Sequence, residues 1–340
     1  MSCHYVRISG TNETFDVSPK ETILAAAKRA GVRLPHECTF GGCATCRVKL
    51  QEGSVHYDEF PMALTEEEHN QGYALACQAH PNEDIVLTPA GKGMELPEPA
   101  VLQAIVQEVR PLTRDISHLT LRLPEECELT YLPGQHMNVR IPDHGDRSFS
   151  MASAYPLGNE VDFHIRRVQD GFFTHKMLDA LAPGDALEVE IPRGTFCYHP
   201  DDWRPMIFAA TGTGLAPIRA ILESLLDDED CPPISLYWGV RTEADLYARE
   251  ELQAWKDRLY EFNFVPVLSR AHAQWQGRRG HVQEAIAQDF QDVSEFAFYL
   301  CGSPQMVADT KRTLIGLGAE LDYLYSDSFT FHHEESGVTV

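Results

Sequence analysis

Two short runs near the start of the chain, His4–Ile8 and Glu13–Val17, alternate apolar and polar side chains around Ser9-Gly10-Thr11-Asn12. Period-two alternation on both sides of such a turn predicts a β-hairpin. Ser18-Pro19-Lys20-Glu21 follows, ahead of an Ala-rich stretch that stops at Gly31. Ser18 is suited to be the N-cap, Pro19 the first helical residue and Glu21 the far half of a capping box, which predicts a helix to about Ala30. With a further strand over Arg47–Leu50, the first segment is expected to be a small mixed sheet with one helix. Pro89 to Pro99 has the composition of a linker.

From 101 to 200 the pattern is mostly strand-like. Val161–Ile165 and Leu187–Ile191 alternate with period two, a short helix is expected over Thr174–Leu181, and Leu132-Pro-Gly134 and Ala182-Pro-Gly184 mark turns. That pattern predicts an antiparallel barrel. From Trp203 the texture changes. Met206–Thr211, Ser235–Val240, Asn263–Ser269 and Phe296–Cys301 are apolar runs separated by helical stretches, and Ile218, Ile221, Leu222, Leu225 and Leu226 keep helical spacing. Strands alternating with helices predict a doubly wound parallel sheet. The expected units are 1–95, 100–202 and 203–340.

Bulk properties narrow the function class. The 340 residues carry 51 acidic and 28 basic side chains, a net charge of −23, which excludes the basic footprint of a nucleic-acid binder. The acidic excess serves solubility, with steering toward a basic partner as the other reading. No apolar run is long enough to span a membrane. Met1–Gly10 lacks the pattern of a signal peptide. Nine cysteines in a chain of this length do not fit a small disulfide scaffold. A reducing cytoplasm is expected, with Cys3, Cys127, Cys197 and Cys231 unpaired.

Four of the other five cysteines carry the strongest signal. Cys38-x4-Cys43-x2-Cys46, with Cys77 downstream, has the spacing of plant-type [2Fe–2S] ligands. Gly41, Gly42, Ala44 and Thr45 between them are small, so backbone N–H groups can turn toward the sulfurs. A structural zinc site would favour paired Cys knuckles, and only one is present. A Rieske centre needs two histidine ligands, and Cys77-x2-His80 supplies half of that pattern without an upstream partner. Residues 1–95 therefore resemble a plant-type [2Fe–2S] ferredoxin domain of β-grasp fold.

Behind it, Pro133-Gly134-Gln135 precedes a strand over His136–Ile141, then comes Arg147-Ser148-Phe149-Ser150. Ile165-Arg166-Arg167 leads to Gly171-Phe172-Phe173-Thr174 at a helix start. Arginine supplies charge-assisted bonds to a diphosphate, and a helix start adds N–H donors. In this order the motifs resemble the FAD domain of the ferredoxin–NADP reductase superfamily. The resemblance implies that Arg147 binds the FAD diphosphate, Phe149 packs on flavin or ribose, Ser150 bonds near flavin N5, and Gly171–Thr174 caps the diphosphate. Phe149 stands where tyrosine is commoner, removing one hydroxyl contact. Ser148, Ile165 and Arg166 complete the expected cofactor set.

Thr211-Gly212-Thr213-Gly214-Leu215-Ala216-Pro217 lies at a strand-to-helix junction, where glycines permit close approach of a diphosphate. Gly239 and Arg241 end a second strand, with Asp245-Leu246-Tyr247 beyond. Cys301-Gly302 ends a fourth, and Ser303-Pro304 is suited to open a helix. Gly-Thr-Gly-x-Ala-Pro resembles the superfamily's nicotinamide-nucleotide motif. The resemblance implies that Cys301 and Gly302 flank the nicotinamide, with Cys301 as a packing and positioning residue. It also places an aromatic on the flavin, Phe329, with Phe331 as the alternative. Ser269 and Arg270, with Arg278 and Arg279 nearby, can grip the 2′-phosphate of NADPH or contact a diphosphate or solvent. NADH is the expected donor, NADPH the alternative.

The order of units resembles the reductase components of bacterial oxygenases. It implies electron flow from NAD(P)H through FAD to the cluster, then to a partner Rieske, cytochrome P450 or diiron oxygenase, in a monomeric protein that holds no oxygen-activating site itself. The alternative is a deoxysugar reductase feeding a radical dehydratase, which Trp275–His281 also resembles. A redox-sensing module is a third reading, disfavoured by three redox-cofactor motifs in series.

Overall fold

The computed structural model describes residues 3–89, 96–125, 129–156, 158–169 and 171–329. Cys127, Phe331, the tail from 332 and residues 90–95 of the linker lie outside these.

The N-terminal unit is built from β1 (His4–Ile8), β2 (Thr14–Val17), α1 (Ile23–Arg29), β3 (Arg47–Glu52), β4 (Val55–His56), α2 (Glu66–Asn70), β5 (Tyr73–Leu75), β6 (His80–Pro81) and β7 (Ile85–Pro89). Its main sheet runs β2-β1-β7-β3-β5, with β1 and β7 parallel and the other pairs antiparallel, so it is mixed as expected. The hairpin forms where alternation placed it. The helix starts later than Ser18: Thr22 is the N-cap, its hydroxyl accepting from Ala25 N–H. Lys20 takes φ +69°, which a helix cannot propagate. Only half the expected capping box survives, with Ser18 N–H donating to Glu21 Oε2 at 3.0 Å. A second helix, α2, was not anticipated; it is one turn held by a capping box between Thr65 and Glu68.

The middle unit comprises β8 (Ala100–Pro111), β9 (Ile116–Arg122), β10 (His136–Ile141), β11 (Gly145–Ser150), β12 (Glu160–Arg166) and β13 (Ala186–Arg193). The strand order is β11-β10-β13-β8-β9-β12, all antiparallel. The ends meet where Met151 bridges Phe163 and Ala152 N–H donates to Asp162 O at 2.8 Å. That bridge closes the sheet into a barrel around Met137, Val139, Phe163 and Val189. The helix expected over 174–181 is instead a π-type helical segment over Phe172–Met177. Its wide turns come from bonds five residues apart, Lys176 N–H to Gly171 O and Leu178 N–H to Phe173 O. The Ala182-Pro-Gly184 turn follows at once.

The C-terminal unit alternates β14 (Met206–Thr211), α3 (Leu215–Ser224), β15 (Ile234–Val240), α4 (Arg249–Ala254), β16 (Phe262–Leu268), β17 (Arg278–Arg279), α5 (Val282–Asp289), β18 (Ala297–Gly302), α6 (Pro304–Gly316) and β19 (Leu324–Ser328). All strands are parallel in the order β17-β16-β15-β14-β18-β19. The order reverses between β14 and β18, so a crevice opens at their carboxyl ends. Among the described residues no helix is long and apolar enough to cross a membrane.

The three units share cores. One apolar cluster joins Val6, Ile23 and Leu87 of the first unit to Val307, Leu314 and Leu324 of the third.

Candidate functional site

The cysteine loop is shaped by left-handed backbone at Thr39, Gly41 and Ala44. A Cβ on Gly41 would stand 2.8 Å from Pro61 Cβ, so glycine alone seats the loop on its neighbour. This backbone turns N–H groups inward. Gly42 donates to Cys38 Sγ at 3.2 Å; Phe40 and Cys43 N–H also reach that sulfur, and Gly41 N–H reaches Cys77. The thiols meet as two pairs, Cys38 with Cys43 and Cys46 with Cys77. The hydrogen bond from Cys43, with the N–H groups and against burial, pushes Cys38 down to about 6. Two pairs of cysteine sulfurs with inward N–H donors fit a two-iron cluster, where each iron takes two sulfurs. His80 turns elsewhere, its Nδ1 3.0 Å from Glu21 O.

A cavity of about 810 Å³ lies between this loop and the barrel. Its volume is within the range of cofactor pockets. Among the residues expected to hold FAD, Arg147, Ser148, Phe149, Ser150, Ile165, Arg166, Gly171, Phe172, Phe173 and Thr174 all line it. Phe149 packs on Phe173 with centroids 5.0 Å apart. Arg147 Nη1 rests on the carbonyls of His144 and Asp146 at 2.8 and 2.9 Å. Gly171 has no room for a side chain, since a Cβ would lie 2.4 Å from Thr174 Oγ1. Thr174 Oγ1 in turn accepts from Val168 N–H at 3.2 Å. A basic pair at Arg147 and Arg166, beside the start of the Phe172–Met177 segment, suits a diphosphate.

The third unit closes the cavity with Thr213, Ala216, Asp327, Ser328 and Phe329. Phe329 is held by its N–H on Gly302 O at 2.7 Å. The remaining nucleotide-motif residues lie at or just beyond strand ends and do not line the cavity. Thr211 Oγ1 accepts from Ser303 N–H at 3.4 Å, and Ser303 caps α6 as expected. Trp238 Nε1 donates to Gly212 O at 3.0 Å and pins the loop. Gly239 packs under Val282 and Thr211. A Cβ on Gly214 would lie 2.2 Å from Cys301 O. Cys301 itself is fully buried, and burial pushes its thiol well above the usual range, so it is not a thiolate nucleophile. Arg241 is 3.8 Å from Asp115. Ser269 N–H bonds Val240 O, and Arg270 N–H bonds Arg241 O. Arg278 is engaged by Gln288 and Asp289, and Arg279 by the carbonyls of residues 271–273 and Trp275.

Sequence reasoning missed the residues that join the units here. His36 and Glu37, just before the first cysteine, line the cavity, as do Cys38, Cys43 and Thr45. His136, Asn138 and His164 line it from the barrel. His164 faces Tyr247 of the third unit at 3.1 Å, while His118 holds Asp162 at 3.0 Å. Burial pushes His164 down to about 3, so it stays neutral. Asp162 is held at about 2, its bonds to His118 and Ser153 outweighing burial. No signal in a single sequence pairs such distant positions.

Comparison with known proteins agrees with this geometry. Residues 6–82 match the 2Fe-2S iron-sulfur cluster binding domain, 103–198 the oxidoreductase FAD-binding domain and 208–312 the oxidoreductase NAD-binding domain. The anthranilate 1,2-dioxygenase electron transfer component of Acinetobacter baylyi is 31% identical, over 92% of each chain. The CDP-6-deoxy-L-threo-D-glycero-4-hexulose-3-dehydrase reductase of Yersinia pestis is 30% identical, over 95% of this chain and 98% of its own. A solved Amycolatopsis cytochrome P450 reductase, GcoB, is 31% identical with a TM-score of 0.70, covering 96% of this chain and 98% of that one. Three domain matches in series, and relatives aligned over nearly their whole lengths, place the chain in the family of [2Fe–2S], FAD and NAD(P)H reductases of the ferredoxin–NADP reductase superfamily.

Proposed function

We propose that the chain takes electrons from NADH into a flavin held in the shared cavity and delivers them, through the cluster, to a partner oxygenase. The observation that carries this reading is that one cavity is lined both by the barrel's motif residues and by the cluster loop. Flavin and cluster supply the change from an electron pair to single electrons. The chain's own residues do the placing. Arg147 and Arg166 offer positive charge to a diphosphate, and Ser150, 6% exposed, presents a hydroxyl to the cavity wall. Phe329 covers the opening on the nicotinamide side, and the β14 and β18 ends receive the dinucleotide. NADH is the donor proposed, and NADPH, gripped at its 2′-phosphate by Ser269 and Arg270, is the alternative. Unit boundaries near 95 and 202, a monomer and a cytoplasmic setting complete the proposal.

For the partner, the surface over the cluster loop is the proposed docking site. Phe40, Phe60 and Met62 are 43%, 48% and 61% exposed there. Asp58, Glu59, Glu66 and Glu67 are exposed around them. An apolar centre with an acidic rim fits an electron-accepting protein whose docking face is basic. The Yersinia relative favours a second destination, a deoxysugar dehydratase.

Cytochrome c, itself basic, is the probe. NADH-driven reduction of cytochrome c should proceed with the holoprotein, weaken as salt rises, and disappear in Cys43→Ser. No turnover with NADH or NADPH would overturn the reading. Separately, Arg147→Ala is expected to weaken FAD retention roughly tenfold to a hundredfold, the worth of a charge-assisted bond. The cluster's visible spectrum should stay intact. Flavin content after gel filtration measures the first effect, and loss of the cluster with flavin retained would contradict the assignment.

A further inference from the structure

We propose that Glu37 is a positioning residue, clamping the cluster loop to the barrel so that flavin and cluster keep one separation. This rests on the reading of the shared cavity as the flavin site.

Glu37 immediately precedes Cys38, and its side chain is 11% exposed. Its Oε1 accepts from Arg193 Nε at 3.0 Å. Its Oε2 lies 3.4 Å from Asn138 Nδ2 and 3.6 Å from His136 Nε2. Arg193 Nη2 also donates to His36 O at 3.3 Å, so the barrel grips both backbone and carboxylate just before the ligand. The receiving site is built for this. His136 and Arg193 face each other across the β10–β13 pairing. Gly194, at φ +89°, leaves space for the His136 ring, which a Cβ would approach to 2.5 Å. Glu190 holds Arg193 Nη1 at 3.3 Å.

The clamp continues into the flavin motif. Asn138 Oδ1 accepts from Ser148 Oγ at 2.7 Å, and Ser148 belongs to the Arg147–Ser150 stretch. Cys38, Glu37, Asn138 and Ser148 thus form a continuous covalent and hydrogen-bonded path from a cluster ligand to the strand that frames the cavity. The attachment of the first unit to the third is separate, through Glu68, Lys311 and Arg47. Loss of Glu37 should therefore free the loop without detaching the unit.

The test uses holoprotein carrying Glu37→Ala, Arg193→Ala or both. Deuterium exchange across residues 34–47 should rise in each, and the double variant should rise by less than the sum of the singles, because both remove the same Glu37–Arg193 bond. In rapid mixing with NADH, flavin-to-cluster transfer should slow relative to flavin reduction, because a loosened loop lengthens the mean separation of the two centres. Glu37→Gln, which keeps an acceptor for Arg193, should restore part of both. Unchanged exchange and an unchanged ratio would overturn the clamp, as would additive effects of the two alanine variants. If Glu37→Ala assembles no cluster, Arg193→Ala tests the same contact from the barrel side. Failure of NADH to reduce the flavin in the unsubstituted protein would sink the functional reading instead; the exchange measurement stands apart from it.

Discussion

Glu68→Gln is expected to destabilise the docking of the N-terminal unit on the C-terminal unit by about 3–5 kcal/mol, the cost of stripping the counter-charge from buried ions. Glu68 is 0% exposed and Lys311 1%. Lys311 Nζ reaches both carboxylate oxygens, at 3.0 and 3.3 Å, and also Ala63 O at 3.3 Å. Arg47 Nε adds a contact at 3.3 Å. Burial opposes ionisation of Glu68, but the charges of Lys311 and Arg47 outweigh it and hold the carboxyl below its usual range. A carboxyl with a depressed folded pKa contributes its stability at neutral pH and loses it as pH falls through that lowered value. Acid should therefore mimic the substitution, but only below the ordinary glutamate range. Replacing Glu68 and Lys311 together with Leu and Met should cost less than Glu68→Gln alone. The remaining Arg47 still has Leu321 O and Leu324 O as acceptors. Thermal melting followed at the cluster's absorbance measures both. A double variant less stable than the single would contradict this account of the interface.

Gly214→Ala is the second large effect expected. A methyl there would stand 2.2, 2.6 and 2.9 Å from the carbonyl oxygen, the carbonyl carbon and the next amide nitrogen at Cys301–Gly302. All three are backbone atoms of a central strand, so no side chain can swing away. The helix start must shift outward from the β18 end, at a cost of about 1–3 kcal/mol for overpacking. That displaces Thr213 and the loop that Trp238 pins. NADH affinity should fall far more than the melting temperature, with flavin and cluster spectra unchanged. Titration with NAD⁺ against melting separates the two. Unimpaired binding would place the dinucleotide away from this crevice.

Much of this architecture was legible because short-range chemistry writes it. Cysteine spacing and the small residues among it specify a loop whose N–H groups must face sulfur. Alternation located β1, β2, β12 and β13, and Ser303-Pro304 located the start of α6. Local signals failed where one backbone angle decided: Ser18-Pro19 reads as a helix start, yet Lys20 at φ +69° delays the helix to Thr22. The π-type segment over Phe172–Met177 has the side-chain spacing of an ordinary turn of helix and gives no separate sign. The largest gap concerns contacts between units. Glu37 looks like one more surface acid in a chain of net charge −23. Lys311 looks like a solvated lysine on an amphipathic helix. Each is buried only because another unit covers it, and its partners lie more than a hundred residues away.

Anaerobic rapid mixing of the holoprotein with NADH, followed separately at flavin and cluster absorbance, tests the central claim most directly. Flavin absorbance should fall first and cluster absorbance second, and Cys43→Ser should keep the first phase and lose the other. Reduction of the cluster by NADH at an undiminished rate in protein stripped of flavin would contradict it.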